Sequence, residues 1–178
     1  MAAPGEPDLI SRARAGDKDA FESLLAPLLG PAARLAYFML HDRAETEDAV
    51  QEAALKAWRR LGTLRAGADF KPWFLGIVAN QCRTARRAPW WSVIRLEHAP
   101  ATRRPGPDVL AVRGADLRRA LLSLPRDQRA AVLLHFYSDL PLEDVARALG
   151  ISVAGVKSRI NRALKRLRPV LQSGEVIA

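Results

Sequence analysis

The sequence predicts an all-α protein: two small helical domains joined by a proline-rich linker, the C-terminal one containing a helix-turn-helix. Three observations lead there. Alternating strand patterns are almost absent from the 178 residues. Apolar residues recur at helical spacing in two separate blocks. Between the blocks lies APWWSVIRLEHAPATRRPGPDVLAV, in which Pro89, Pro100, Pro105 and Pro107 break helix repeatedly and favour extended chain. The division that follows is a flexible N-terminus over 1–7, a first domain over 8–88, a linker over 89–112, a second domain over 113–172 and a tail over 173–178.

In the first block a short helix runs from Asp8 to Ala15 and stops at Gly16. Asp17 or Asp19 can cap the next, where Phe21, Leu24, Leu25 and Leu28 recur at helical spacing. Pro27 and the pair Gly30-Pro31 predict a kink or a split there, with a further helix through Leu35, Ala36 and Leu40. In TEDAVQEAALKAWRRL, Thr46 is the expected N-cap. Val50, Ala54, Ala57 and Leu61 form one stripe, with Trp58 beside it as a core residue. After a loop framed by Gly62 and Gly67, FKPWFLGIVANQCRTARRA reads as a helix starting near Pro72, with Trp73, Phe74, Ile77 and Val78 apolar.

The second block is more regular. Leu117, Ala120, Leu121 and Leu124 follow helical spacing, Pro125 restarts the chain, and AAVLLHFY reads as a buried helix. LEDVARAL repeats the spacing, Gly150 closes it, and Ser152 caps a last helix from about Val153 to Leu171.

Composition excludes several classes. One cysteine, Cys82, cannot form an internal disulfide, and no Cys/His cluster has zinc spacing. No signal pattern opens the chain, and no apolar run is expected to span a membrane, so membrane insertion is not predicted and the cytoplasm is the expected compartment. His41, His98 and His135 are far apart, and no catalytic triad, phosphate loop or metal set appears. No catalytic residue, metal or cofactor is therefore expected, and no enzyme. The net charge is +9, unevenly placed: residues 113–178 hold 12 basic and 6 acidic residues, whereas 1–88 hold 13 and 11. A basic C-terminal stripe suits a polyanion. The acidic run Asp42, Glu45, Glu47, Asp48 and Glu52 suits a basic protein surface or plain solvent.

Helix, Gly150-Ile151-Ser152, helix is a helix-turn-helix. Ala146, four residues before Gly150, lets the two helices approach. Val156, Ile160, Ala163, Leu164 and Leu167 make the buried stripe of the second helix, which leaves Lys157, Ser158, Arg159, Asn161 and Arg162 largely outward. Small Ala154 and Gly155 permit close approach of the helix N-terminus to a DNA backbone. Such a helix reads base edges with its first residues and holds phosphates with cations further along. The same pattern would also suit a basic helix closing an ordinary bundle.

SLPRDQRAAVLLHFYSDLPLEDVARALGISVAGVKSRINRALKRLR resembles the promoter-distal DNA-binding domain of bacterial RNA polymerase sigma factors. AETEDAVQEAALKAWRRL and ADFKPWFLGIVANQCRTARR resemble the other conserved domain of the same family. Two domains without further modules is the arrangement of the extracytoplasmic-function (ECF) group. The resemblance implies a promoter-specificity subunit that binds core RNA polymerase, recognises −10 and −35 elements and assists melting. It places Asp48, Gln51, Glu52, Lys56 and Arg59 on the clamp of the largest polymerase subunit, and apolar residues of 126–138 near the flap. It assigns the −10 element to Phe70, Lys71, Trp73 and Asn80, with Arg83, Arg86 and Arg87 on phosphates; Trp73 could equally be core. It assigns the −35 element to Ser152, Val153, Ala154, Lys157, Ser158, Arg159 and Arg162. Gly76 departs from the pattern, since a larger residue is common there. An anti-sigma partner is a further expectation of the resemblance. Trp90 and Trp91 either anchor the linker in polymerase or pack on the first domain. The linker reaches at most about 80 Å. Elements 17 base pairs apart are separated by roughly 58 Å, at about 3.4 Å per pair. The competing reading is a stand-alone dimeric helix-turn-helix regulator.

Overall fold

The computed structural model describes residues 5–85 and 117–173, with side chains to residue 169. All regular structure among them is helical. The first group is α1 (Glu6–Arg14), α2 (Lys18–Leu40), α3 (Arg43–Arg60), a 3-10 turn at Leu61–Thr63 and α4 (Phe70–Thr84). The second is α5 (117–123), α6 (Arg126–Val132) with a π turn at Leu133–Tyr137, α7 (Leu142–Leu149) and α8 (Val153–Ser173). The expected linker, 89–112, lies outside the described residues.

α1 begins earlier than expected, because Glu6 has a task. Its Oε1 accepts the Phe70 backbone N–H at 2.8 Å and caps α4, whose own N-cap Asp69 makes no side-chain bond. Glu6 and Pro7 therefore lie in the first turn of α1 rather than in a flexible end. Arg14, in the last turn of α1, donates to the carbonyls of Leu61 and Leu64. α1 thus fastens both sides of the loop that leads into α4.

α2 is one unbroken helix of 23 residues despite Pro27 and Pro31. Ala20, Leu24, Ala32, Leu35, Ala36 and Met39 are buried along it, whereas Pro27 is exposed and Pro31 half-buried. The missing amides fall on the wetter side, and packing against α1, α3 and α4 keeps the helix continuous through them. By length and composition α2 could also cross a membrane, against the sequence expectation. Here it is the central helix of the first domain. Asp17 caps it, accepting the Ala20 N–H at 3.1 Å, and this bond together with the adjacent Arg12 holds the carboxyl below its ordinary range.

α3 starts one turn before the expected cap. Asp42 accepts the Glu45 N–H at 2.8 Å, and Thr46 is buried in the first turn with its hydroxyl donating to the Asp42 carbonyl at 2.6 Å. Cys82 is buried in α4, and burial pushes its thiol up to about 12, so it stays protonated and inert.

In the second group the expected buried run AAVLLHFY is only partly buried. Its end widens into a π turn, where Ser138 N–H reaches the Leu133 carbonyl at 2.9 Å, and Phe136 is left 59% exposed. Gly150 ends α7 with φ +65°, and Ser152 Oγ accepts the Gly155 N–H at 3.1 Å. The turn and both caps follow the sequence reading.

His41 closes α2 in the left-handed region at φ 59°. Burial lowers its pKa from the ordinary 6.5, and the charges of Arg118 and Arg129 lower it further. The unfolded chain binds a proton there before the native one does, so stability falls as pH drops below about 6.5 and levels off below the depressed native value. His41→Asn keeps a residue tolerant of that backbone. Its melting temperature should vary less between pH 7.5 and 5 than that of the wild type, measured by circular dichroism.

Candidate polymerase- and DNA-binding faces

α8 divides its residues by angle. Val156, Ile160, Ala163 and Leu167 are buried against α6 and α7. Ser152, Ala154, Lys157, Ser158 and Arg162 are exposed, with Val153 half-buried beside them. Arg162 is steadied by Ser158, donating to its Oγ at 2.9 Å and its carbonyl at 3.3 Å. Lys165, Arg166 and Arg168 are also exposed, so one open face carries five cations and no carboxylate. Arg159 departs from that face. Its side chain is 22% exposed and turns inward, with Nη2 3.8 Å from Asp127 and a buried Nη1 that makes no hydrogen bond.

On α3, Asp48, Gln51 and Arg59 are exposed and Glu52 is half-buried. Lys56 bridges elsewhere: its Nζ lies 2.5 Å from Gln81 Oε1 in α4 and 3.8 Å from Glu52. It braces α3 on α4 from the edge of the acidic face. Leu55, 46% exposed, lies among these residues and was not foreseen. A lone apolar residue in a charged run gives little sequence signal.

α4 corrects one expectation outright. Phe70 is 1% exposed, in van der Waals order with Phe21, Trp73 and Phe74 at ring separations of 6.0, 5.7 and 5.9 Å. It opens α4 as a core residue and cannot stack on a base. Lys71 is exposed, and Trp73 and Asn80 are half-buried. Trp58 packs edge-on to Phe21 at 5.1 Å. Arg83 Nη1 donates to Asn80 Oδ1, and its Nε to Asp127 Oδ1, both at 2.6 Å. Arg86 and Arg87, like Trp90 and Trp91, lie outside the described residues. Trp73, Gly76, Ile77 and Asn80 line one wall of a cleft of about 410 Å³ whose other wall is Asp144, Arg147 and Ala148 of α7. That second wall went unread because contacts between distant segments leave no periodic trace. Among the described residues no group of three His, Cys, Asp or Glu could hold a metal.

A two-domain helical protein with a basic helix-turn-helix face belongs among DNA-binding transcription proteins, and comparison narrows the class. The family model "Sigma-70 region 2" matches residues 24–92, and "Sigma-70, region 4" matches residues 115–167. The ECF RNA polymerase sigma factor SigM of Mycobacterium tuberculosis is 34% identical over 166 residues, covering 92% of this chain and 83% of SigM. RNA polymerase sigma-H factor of Pseudomonas aeruginosa is 30% identical over 179 residues, covering 92% of each chain. Among solved structures, the sigma factor RpoE of Bartonella quintana, in complex with the anti-sigma factor NepR, superposes with a TM-score of 0.62 at 26% identity. The match covers 85% of this chain and 96% of RpoE. The chain belongs to the ECF sigma factors of bacterial RNA polymerase. It directs core polymerase to promoter DNA. This sets aside the stand-alone dimeric regulator.

Phe70→Ala should lower stability by about 3–5 kcal/mol, the cost of emptying a buried aromatic site. Urea denaturation followed by circular dichroism reads it. An unchanged midpoint would return Phe70 to the surface.

Proposed function

We propose that the work is divided by helix. The acidic face of α3, through Asp48, Gln51, Glu52 and Arg59, docks on the polymerase clamp, with Lys56 holding α3 to α4 beside it. α4 and the loop before it read the −10 element through Lys71, Trp73, Asn80 and Arg83, with Arg86 and Arg87 as further phosphate contacts. α8 reads the −35 element through Ser152, Val153, Ala154, Lys157, Ser158, Arg159 and Arg162. The first domain, 8–88, and the second, 113–172, are the two units of that division, with 89–112 between them.

The observation that carries the reading is the segregation of charge. The charged residues exposed on α8 are all cations, as a phosphate-facing helix requires, while α3 exposes the carboxylates Glu47 and Asp48, which DNA would repel, in its first half. Phe136, exposed on the π turn, suits the polymerase flap. The protein supplies specificity and no catalysis of its own, and it acts where polymerase and chromosome are, in the cytoplasm. An anti-sigma protein is proposed as a regulator; in support, the similar RpoE was crystallised with one.

Two substitutions separate the faces. Arg162→Ala should weaken promoter binding by reconstituted holoenzyme by about tenfold, the order of one lost base or phosphate contact, and leave core association unchanged. Glu52→Lys should do the opposite, weakening core capture in a pull-down while leaving the DNA contacts of α8 intact. If both variants, folded by circular dichroism, lost both activities, the division would be wrong.

A further inference from the structure

The loop that leads into α4 is held at both ends by α1. Its residues, Arg65 to Asp69, stand between Leu64, which is buried, and Phe70, which opens the helix. At the near end Arg14 donates to two backbone carbonyls, from Nε to Leu61 at 3.4 Å and from Nη2 to Leu64. At the far end Glu6 Oε1 accepts the Phe70 N–H at 2.8 Å. Inside the loop the Ala68 N–H donates to the Arg65 carbonyl at 3.1 Å, closing a tight turn with Gly67 at φ +74°. The third position of such a turn needs a left-handed backbone, which glycine adopts without strain. Arg65, Ala66, Gly67 and Asp69 are exposed, and the loop lines the same cleft as Trp73 and Asn80. Neither Glu6 nor Arg14 lines that cleft.

A helix start is ordinarily satisfied by its own N-cap side chain. Asp69 stands in that place, is of the right type, and makes no side-chain bond. The Phe70 donor is served instead by a residue 64 positions earlier. A local cap would fix only the first turn of α4. A cap from α1 also fixes where the end of the loop stands relative to α1, and Arg14 does the same for its beginning. α1 is anchored in turn: Arg12 donates twice to Asp17 Oδ2, at 2.9 and 2.7 Å, and Asp17 caps α2. Glu6 and Arg14 are about 12 Å apart along α1, at roughly 1.5 Å per residue. The chain from Leu64 to Phe70 could reach about 20 Å if extended. The covalent chain leaves the loop slack, and the two side-chain grips take up that freedom.

We propose that Glu6 and Arg14 are positioning residues for −10 recognition: through them α1 holds the 65–69 loop preformed beside Trp73, so that the unpaired −10 strand meets an ordered surface. The proposal rests on the assignment of α4 and the loop before it to the −10 element. A loop ordered before binding spares the DNA complex the entropy of ordering it. The effect is confined to the −10 element, because neither residue belongs to α3 or α8.

The test uses the full chain with core polymerase, on a promoter that wild-type holoenzyme selects from a pool of random templates. Single bases of its −10 and −35 elements are replaced in turn, and the ratio of transcription from intact and altered templates measures discrimination at each element. Glu6→Ala should lower the −10 ratio by about threefold or more, the order of one lost hydrogen bond, and leave the −35 ratio and core capture unchanged. Glu6→Gln keeps an acceptor oxygen at the same reach and should restore the −10 ratio. Arg14→Ala should behave as Glu6→Ala does, and it decides the matter if Glu6→Ala fails to fold by circular dichroism. A folded variant of either residue with the wild-type −10 ratio would overturn the proposal. So would an equal fall in both ratios, which marks general damage, or a Gln variant no better than the Ala one. Trp73→Ala tests the −10 assignment separately. If it leaves the −10 ratio unchanged, that assignment fails; if it lowers the ratio while the α1 variants do not, the positioning alone fails.

Discussion

Two arginines one turn apart on α6 hold the helix ends of the first domain. Arg126 donates to the carbonyls of Arg83 and Ala85, at the C-terminal end of α4. Arg129, 7% exposed, donates to the Met39 carbonyl at the end of α2, and to Leu121, Leu122 and Leu124 around the end of α5. The last carbonyls of a helix lack internal partners and carry the negative end of its dipole, so a cation there satisfies both. A guanidinium buried this deeply is tolerable because several carbonyls surround it. Around this grip the smaller contacts assemble: Arg34 Nε on the Tyr137 hydroxyl at 3.0 Å, Phe38 edge-on to Tyr137 at 4.9 Å, and α7 in the notch at Gly76.

The arrangement leaves the two proposed DNA-reading faces in different states. Most of the α8 face is open to solvent, with Arg159 alone drawn inward. The α4 face is closed by α7. A protein that carries both halves of a promoter reader gains nothing from binding DNA before polymerase sets their spacing.

Much of this was legible in the chain. Gly150 and Ser152 announced the turn because a left-handed closure and a side-chain cap need those residue types. The α8 stripe could be read because its buried and basic residues are separated by angle. Arg159 shows the limit: it lies next to the buried stripe, and its direction depends on a carboxylate 32 positions away in the sequence. Phe70 was misplaced for a related reason. An aromatic residue at a helix start serves a base or a core equally well, and only Phe21, from a distant helix, decides it. The prolines of α2 do not split the helix, because local backbone preference is outweighed by a buried stripe that runs past them. Glu6 could not be found at all, since its partner is 64 positions on.

The direct test is the distance between the domains with and without polymerase. Fluorophores at Glu22→Cys and Glu143→Cys, with Cys82 left protonated and unlabelled in the core, report it by single-molecule energy transfer. High transfer in the free chain and low transfer after addition of core polymerase is the expected result. Equal transfer in the two states, in protein that still supports transcription, would contradict a chain that rests closed and works open.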